Sequence, residues 1–477
     1  MISLALCAPA LAGLAALISG KKAARALLTG AAVFNLALCG LLWRFPPASG
    51  SWFMADSASL IFLAVTGLLF AACSFYARGY LDTLSPKPHI FSGVFGDEPE
   101  PVFISFLLLF LAAMNFVCLS RHIAMMWVAL EATTLVSAPL ICFHRTPRSL
   151  EAAWKYLMIC SVGIALALLG NFFIASAAGA ANVPMLCDVL RDSARLLNPL
   201  WLKLAFVLAF TGYGAKMGLA PMHTWLPDAH GESPSPVSAL LSGALLNCAF
   251  LSLMRVAAVC SGAGLGEFVN DVFLFFGIAS VVIAAAFMLR QRDYKRLLAY
   301  SSVENMGIIA AGVGAGTVYG AVLQAINHSL VKAMLFMASG NILRGFRTKS
   351  SAEVGNLAAM PFTGFLWAAG FMAILGLPPF GIFVSKLVII KAMFASGHGR
   401  AGALFIFMLA VVFAGVAHSV MGMFAPSGAK PPQGRERLVF ILPAALLGLC
   451  ALATGLYIPQ WLDAAVKSAS AALGGAW

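Results

Sequence analysis

Apolar runs long enough to cross a bilayer recur from one end of this chain to the other and leave little room for anything else. A spanning helix needs about 20 such residues. In hydrocarbon every backbone N–H and C=O must be paired internally, so helices and closed barrels are the only structures that span. The runs have helix length and number about 14, at roughly 2–19, 24–45, 57–77, 103–120, 122–143, 150–176, 199–226, 236–257, 268–290, 297–316, 318–344, 361–394, 402–425 and 437–457. The expected fold is therefore an all-α polytopic membrane protein. The first run lacks a preceding basic region and reads as a retained helix, not a cleaved signal.

Composition excludes the main alternatives. Of 477 residues, 61% are hydrophobic and 10% charged, which no soluble globular domain matches. A net charge of +12 would suit a nucleic-acid partner, but the Lys and Arg sit in short clusters between apolar runs, where the positive-inside rule explains them. Connections after odd-numbered runs are the more basic, for example Lys21, Lys22 and Arg25, or Arg290, Arg292, Lys295 and Arg296. They are expected on the cytoplasmic side of a bacterial or archaeal inner membrane, with both termini on the other side. An acidic patch, Asp97, Glu98 and Glu100, reads as a solvated loop. The 10 cysteines show no CxxC or other ligand spacing and read as small buried hydrophobes. With no dinucleotide or phosphate loop either, no cofactor is expected in this chain.

The charges inside the runs carry the functional argument. Lys216 lies 13 residues after Lys203, within one run, and is followed by Gly218 and Pro221. A lysine beside a helix break at membrane depth is a functional-site hypothesis by default; the plain alternative is snorkelling to the interface. Glu131, mid-run in WVALEATTL, is the expected partner, as a fixed ion pair or as a switchable one. Lys155 lies between Glu131 and Lys216, and the second half repeats the order: Glu304, then His328 and Lys332, then Lys386 beside a second break in GLPPFGIFVSK. Glutamate to final lysine spans 85 residues in one half and 82 in the other. Two broken helices at matching places point to an internal repeat. Runs 4–8 and 9–13 would be the repeats, and five runs each makes them inverted. This gives segments 1–102 (three helices and a loop), 103–257, 268–425, and 426–477 (last helix and short tail).

His328 and Lys332 stand four apart and share a helix face, as a proton relay would require. Glu304 serves either that relay or the basic cluster before it. Asn247 either hydrogen-bonds relay waters or ties two helices together. His223, Asp228, His230 and Glu232 follow the first break with spacings that suit no metal, so a wet loop or gate lining is expected there.

At these residues the chain resembles the antiporter-like proton-translocating membrane subunits shared by respiratory complex I, the Mrp sodium/proton antiporters and the membrane-bound group-four nickel–iron hydrogenases. The motifs are WVALEATTL, GYGAKMGLAPMHTWLPDAHGESPSPVSALLSG, DYKRLLAYSSVENMG, QAINHSLVKAMLFMASGNI and GLPPFGIFVSK. EATTLVSAPLICFHRTPRSLEAAWKYLMICSVGIALALLG and SALLSGALLNCAFLSLMR look like the F subunit of the hydrogenase-4, formate-hydrogenlyase-like branch. The resemblance implies Glu131 with Lys216 as a coupled pair, His328 and Lys332 as a central relay, and Lys386 as the exit-side site. It also implies neighbouring membrane subunits and a peripheral redox arm as partners, with the redox centres in those partners. An Mrp-type antiporter subunit is the alternative, and a structural subunit with a dead channel a third. Asn247 departs from relatives with Lys or His there. About 20 residues follow the last run, so the long lateral helix of the L-type complex I subunit is not expected.

Overall fold

The computed structural model describes residues 1–82, 99–425, 432 and 434–475; Asp97 and Glu98 of the acidic patch lie outside them. Among the described residues the chain is helical throughout, with only isolated bridges such as Phe53 with Ser120. The helices are α1 (Ile2–Leu17), α2 (Lys21–Arg44), α3 (Ser57–Asp82), α4 (Glu100–Leu119), α5 (Ile123–Ile141), α6 (Pro147–Ala180), α7 (Cys187–Asp192), α8 (Pro199–Met217), α9 (Trp225–Glu232) and α10 (Ser235–Leu240). They continue as α11 (Leu246–Cys260), α12 (Gly266–Met288), α13 (Tyr294–Gly314), α14 (Val318–Phe346), α15 (Pro361–Leu375), α16 (Gly381–Ala395), α17 (Gly399–Phe424), α18 (Leu438–Leu456) and α19 (Gln460–Ala472).

Each of the expected runs coincides with a helix or a broken pair. Among the described residues, nine helical stretches are long and apolar enough to cross a membrane, and α1 and α15 are shorter apolar helices. Three departures from the simple count have local causes. Residues 235–288 form one continuous stretch, in which Leu241–Leu245 adopt π geometry and Gly264 turns the chain at φ 83°. The runs at 199–226 and 361–394 are each two helices. α8 stops at Gly218 (φ 84°) and α15 at Gly376 (φ 83°), and cis peptides follow at Ala220–Pro221 and Pro378–Pro379. Left-handed backbone suits glycine, so the same Gly-then-Pro order makes the same break twice. Third, the expected short tail is the amphipathic helix α19, whose Leu462, Val466 and Ala469 are buried. Its apolar stripe is too narrow for a hydropathy window to register.

Helix starts follow the residue chemistry. Thr146, Asn198, Asp293 and Thr317 each accept a backbone N–H of the first turn of α6, α8, α13 and α14, the usual role of such caps. Small residues bring spans close. A Cβ on Gly212 of α8 would lie 2.3 Å from the Gly163 carbonyl of α6, and one on Gly277 of α12 would lie 2.5 Å from the Ala311 nitrogen of α13, the small-residue packing that membrane helices favour. Outside the spans, Arg121 clamps the start of α5 to α7 by a two-point contact with Asp188, at 2.7 and 2.8 Å.

α14 is the axis. It packs against α3, α10, α13, α15, α16, α18 and α19, and its apolar window is wholly buried inside the protein. A helix that never meets lipid has no need to be apolar all round, and this one carries Gln324, Asn327, His328, Ser329 and Lys332.

Candidate site: a buried row of cations

Among the described residues four lysines are buried; Lys295, 1% exposed, sits at the start of α13, and the other three form a row inside the bundle, Lys216 and Lys332 at 0% and Lys386 at 4% exposed. A charged group there needs polar partners, and each lysine finds a different set.

Lys216 ends α8, two residues before the break. Its Nζ donates to the Leu130 carbonyl at 3.2 Å and to the Thr134 hydroxyl, both on α5, and stands 3.5 Å from the Tyr156 hydroxyl of α6. The Thr134 hydroxyl donates in turn to Glu131 Oε2 at 3.3 Å, and Ser161 donates to Oε1 at 3.3 Å. Glu131 and Lys216 therefore belong to one cluster, as expected, but a threonine hydroxyl stands between them where the sequence suggests a direct ion pair.

Lys332 occupies the centre. Its Nζ donates to the Leu298 carbonyl of α13 at 2.5 Å and to the Ser301 hydroxyl, and it sits 5.9 Å from the Phe336 ring. His328, one turn earlier, is 0% exposed, and among the described residues neither ring nitrogen makes a hydrogen bond. Asn247 of α11 donates to the Ser329 hydroxyl at 2.6 Å and to the Gly243 carbonyl at 3.2 Å. That carbonyl belongs to the π segment and also accepts from Ser329 at 2.7 Å. Asn247 is thus a tie between α11 and α14, and its Oδ1 has no protein partner.

Lys386 makes the direct ion pair, 3.6 Å from Glu304 Oε1 on α13. It also donates to the carbonyls of Ile374 and Leu375 at 3.2 Å each. These are the last carbonyls of α15, left without helical partners by the break. The two breaks are therefore used differently. Lys216 precedes its break and turns away from it, while the Ala215 carbonyl accepts from Trp225 Nε1 at 2.9 Å and from the Gly218 N–H at 3.2 Å. Lys386 follows its break and binds back to it. The mirror placement suggested by spacing holds for the breaks and not for the lysines.

A hydrogen-bond chain runs from the centre to Ser385, the residue before Lys386 on α16. Asn305 donates to the Ser301 carbonyl at 2.7 Å, Gln324 to Asn305 Oδ1 at 2.7 Å, and Ser385 to Gln324 Oε1 at 2.5 Å. Among the described residues no such side-chain chain joins Lys216 to Lys332. His223 lies in the first break, 5% exposed, beside the rings of Phe287 and Tyr300. The expected wet loop after that break is instead α9, with His230 fully buried and stacked on Phe336 at 5.0 Å.

Sequence reasoning missed Thr134, Tyr156, Ser301, Asn305 and Gln324. The available signal was polar residues inside apolar runs: Thr133, Thr134 and Ser137 on α5, and the Ser301, Ser302 and Asn305 group on α13.

A helical membrane protein with two broken spans and a row of buried lysines and histidines with glutamates beside them is the class this geometry defines. Residues 120–415 match the family described as NADH:quinone oxidoreductase/Mrp antiporter, transmembrane. The chain belongs to that family and is an antiporter-like membrane subunit. It is 33% identical over 428 residues to a hydrogenase-4 component F homolog of Methylacidiphilum infernorum, covering 88% of each chain. Its fold matches a chain of the Mrp complex from Dietzia sp. DQ12-45-1b, with a TM-score of 0.85 at 20% identity over 99% of both chains. It also matches a chain of the membrane-bound sulfane sulfur reductase, an archaeal respiratory membrane complex, with a TM-score of 0.84 at 21% identity over 99% of this chain and 98% of that one.

Proposed function

We propose that this chain conducts protons across the inner membrane as one subunit of a redox-driven complex of the hydrogenase-4 and complex I type. Glu131, Lys216, His328, Lys332 and Lys386 form the relay, and Glu304, Asn247 and His223 act beside it. On this reading electron transfer belongs to redox centres in a peripheral arm of partner subunits. The clustering of basic residues supports cytoplasmic placement of the loops after odd-numbered spans. The carrying observation is the row of three buried lysines with one direct carboxylate among them. Groups held this way exchange protons when their neighbours move, and a purely structural ion network would pair each cation.

The energies are of the right size. Moving one charge against the membrane potential takes roughly 2.3 kcal/mol per 100 mV. The Glu304–Lys386 separation of 3.6 Å corresponds to about 5 kcal/mol at an effective dielectric of about 20. Opening or closing that pair exceeds the work of one proton transfer. Buried ring nitrogens on His328 and the free Oδ1 of Asn247 are the groups that ordered water satisfies in such interiors.

The stronger identity to the hydrogenase-4 component F homolog supports this reading over an Mrp-type sodium/proton antiporter subunit. The test is proton translocation by inverted membrane vesicles that contain the assembled complex. Lys216→Ala is expected to abolish translocation, and Glu131→Ala to lower it at least tenfold. Wild-type translocation in both would sink the proposal.

A further inference from the structure

The break in the side-chain network between Lys216 and Lys332 has a physical bridge. It is α9, the eight-residue second half of the first broken span. At one end Trp225 donates to the Ala215 carbonyl, next to Lys216. Its ring packs 4.9 Å from that of Tyr156, whose hydroxyl stands beside Lys216 Nζ. At the other end His230 stacks on Phe336, the ring under Lys332. One short helix therefore touches both cation pockets.

The outer side of α9 is held by charge. Asp228 receives Lys155 of α6 at 3.0 Å and Arg296 of α13 at 3.1 Å. Below it the helix C-terminus is held by two more cations. Lys295 donates to the Ser233 carbonyl at 2.7 Å, and Lys349 to the Gly231 carbonyl at 2.7 Å and Glu232 at 3.1 Å. Cations at a helix C-terminus are favourable. α6 carries Tyr156 of the Lys216 pocket, and α13 carries Ser301 and Glu304 of the other two. Asp228 is thus, among the described residues, the carboxylate to which the walls of both halves are tied.

We propose that Asp228 is a positioning residue that sets α9 as a two-ended lever, so that a shift at Lys216 is passed to Lys332 through Trp225 and His230. This inference rests on the proton-conducting reading above and names the element that joins its two halves. Asp228 touches no transported proton. It acts by fixing α9 against α6 and α13.

The experiment measures protons translocated per electron transferred in vesicles bearing the assembled complex. Asp228→Asn is expected to lower that ratio about tenfold, with the amount of assembled complex unchanged, and Asp228→Glu to restore it. Lys155→Gln with Arg296→Gln should reproduce the loss, and adding Asp228→Asn to that pair should cause no further fall, since all three changes remove the same contact. If Asp228→Asn prevents assembly, the Lys155→Gln/Arg296→Gln variant gives the same reading. A wild-type ratio in Asp228→Asn, or losses that simply add, would overturn the lever. With Lys216→Ala still inactive, that result leaves the conduction reading standing; a fully active Lys216→Ala removes both.

Discussion

The two breaks offer a controlled comparison, because the same substitution strains both backbones equally but reaches only one lysine. Alanine in left-handed backbone costs about 1–2 kcal/mol, and Gly218 and Gly376 have φ of 84° and 83°. A Cβ on Gly218 would meet Leu226 Cδ1 at 2.6 Å, the far end of a flexible side chain. A Cβ on Gly376 would meet Lys386 Cδ at 2.8 Å, with Cε at 3.5 Å and Nζ at 3.4 Å. Ordinary carbon contacts lie at about 3.5–4.0 Å, so the Lys386 stem must move by close to 1 Å. Lengthening the Glu304 contact by that much removes about 1 kcal/mol at an effective dielectric of about 20. At least one of the two carbonyl contacts at 3.2 Å passes out of hydrogen-bonding range, at about 1.5–3 kcal/mol for a bond to a charged group. The sum, roughly 3 kcal/mol or more beyond the shared strain, is a factor of about 100 in occupancy of the native Lys386 geometry. Gly376→Ala is therefore expected to lower proton translocation by ten- to a hundredfold, and Gly218→Ala by less than threefold at matched amounts of complex. Equal damage from both, or wild-type activity in Gly376→Ala, would refute the assignment of Lys386 to the relay.

Two further outcomes are expected. Thr134→Val keeps the shape of the bridge between Lys216 and Glu131 but removes its hydroxyl, so translocation should fall about tenfold, at roughly 1.5–3 kcal/mol for one charge-assisted hydrogen bond; Thr134→Ser should retain most of it, and an active valine variant would show the bridge to be dispensable. The Arg121 hydrogen bond holds the Asp188 carboxyl below the ordinary carboxylate range, against the opposing effect of partial burial. A depressed pKa adds stability above the unfolded value of about 3.9 that is lost as pH falls through the folded value. The melting temperature of Asp188→Asn in detergent should therefore lie slightly below wild type from pH 5 to 8, by a shift that corresponds to less than about 1 kcal/mol for so exposed a pair, and close on it as pH falls below about 3.9; a gap that widens on acidification would contradict the sign.

Much of this architecture could be read from hydrophobic period and from Gly and Pro placement. The spans followed from run length, because hydrocarbon leaves the backbone so few choices, and both breaks followed from Gly and Pro inside otherwise apolar runs. Glu304, Lys332 and Lys386 stood out because a charge in such a run needs a reason. What spacing could not supply was which face of which helix meets which neighbour. Thr134 intervenes between Glu131 and Lys216 because α5 presents it one turn further on, a rotation that run boundaries do not resolve. α9 reads as a polar loop because Asp228, His230 and Glu232 outweigh its apolar residues. Asp228 and Glu232 instead face cations from three other elements, and His230 stacks on Phe336.

The two lysines beside the breaks also differ in how they can change by descent. Lys216 rests partly on side chains, the hydroxyls of Thr134 and Tyr156, which single codon changes can alter or remove. Two of the three contacts of Lys386 are main-chain oxygens of residues 374 and 375, and these persist whatever residue stands there. The first site is thus open to gradual adjustment of its chemistry, while the second can be retuned only through Glu304 or by redrawing the path of the chain.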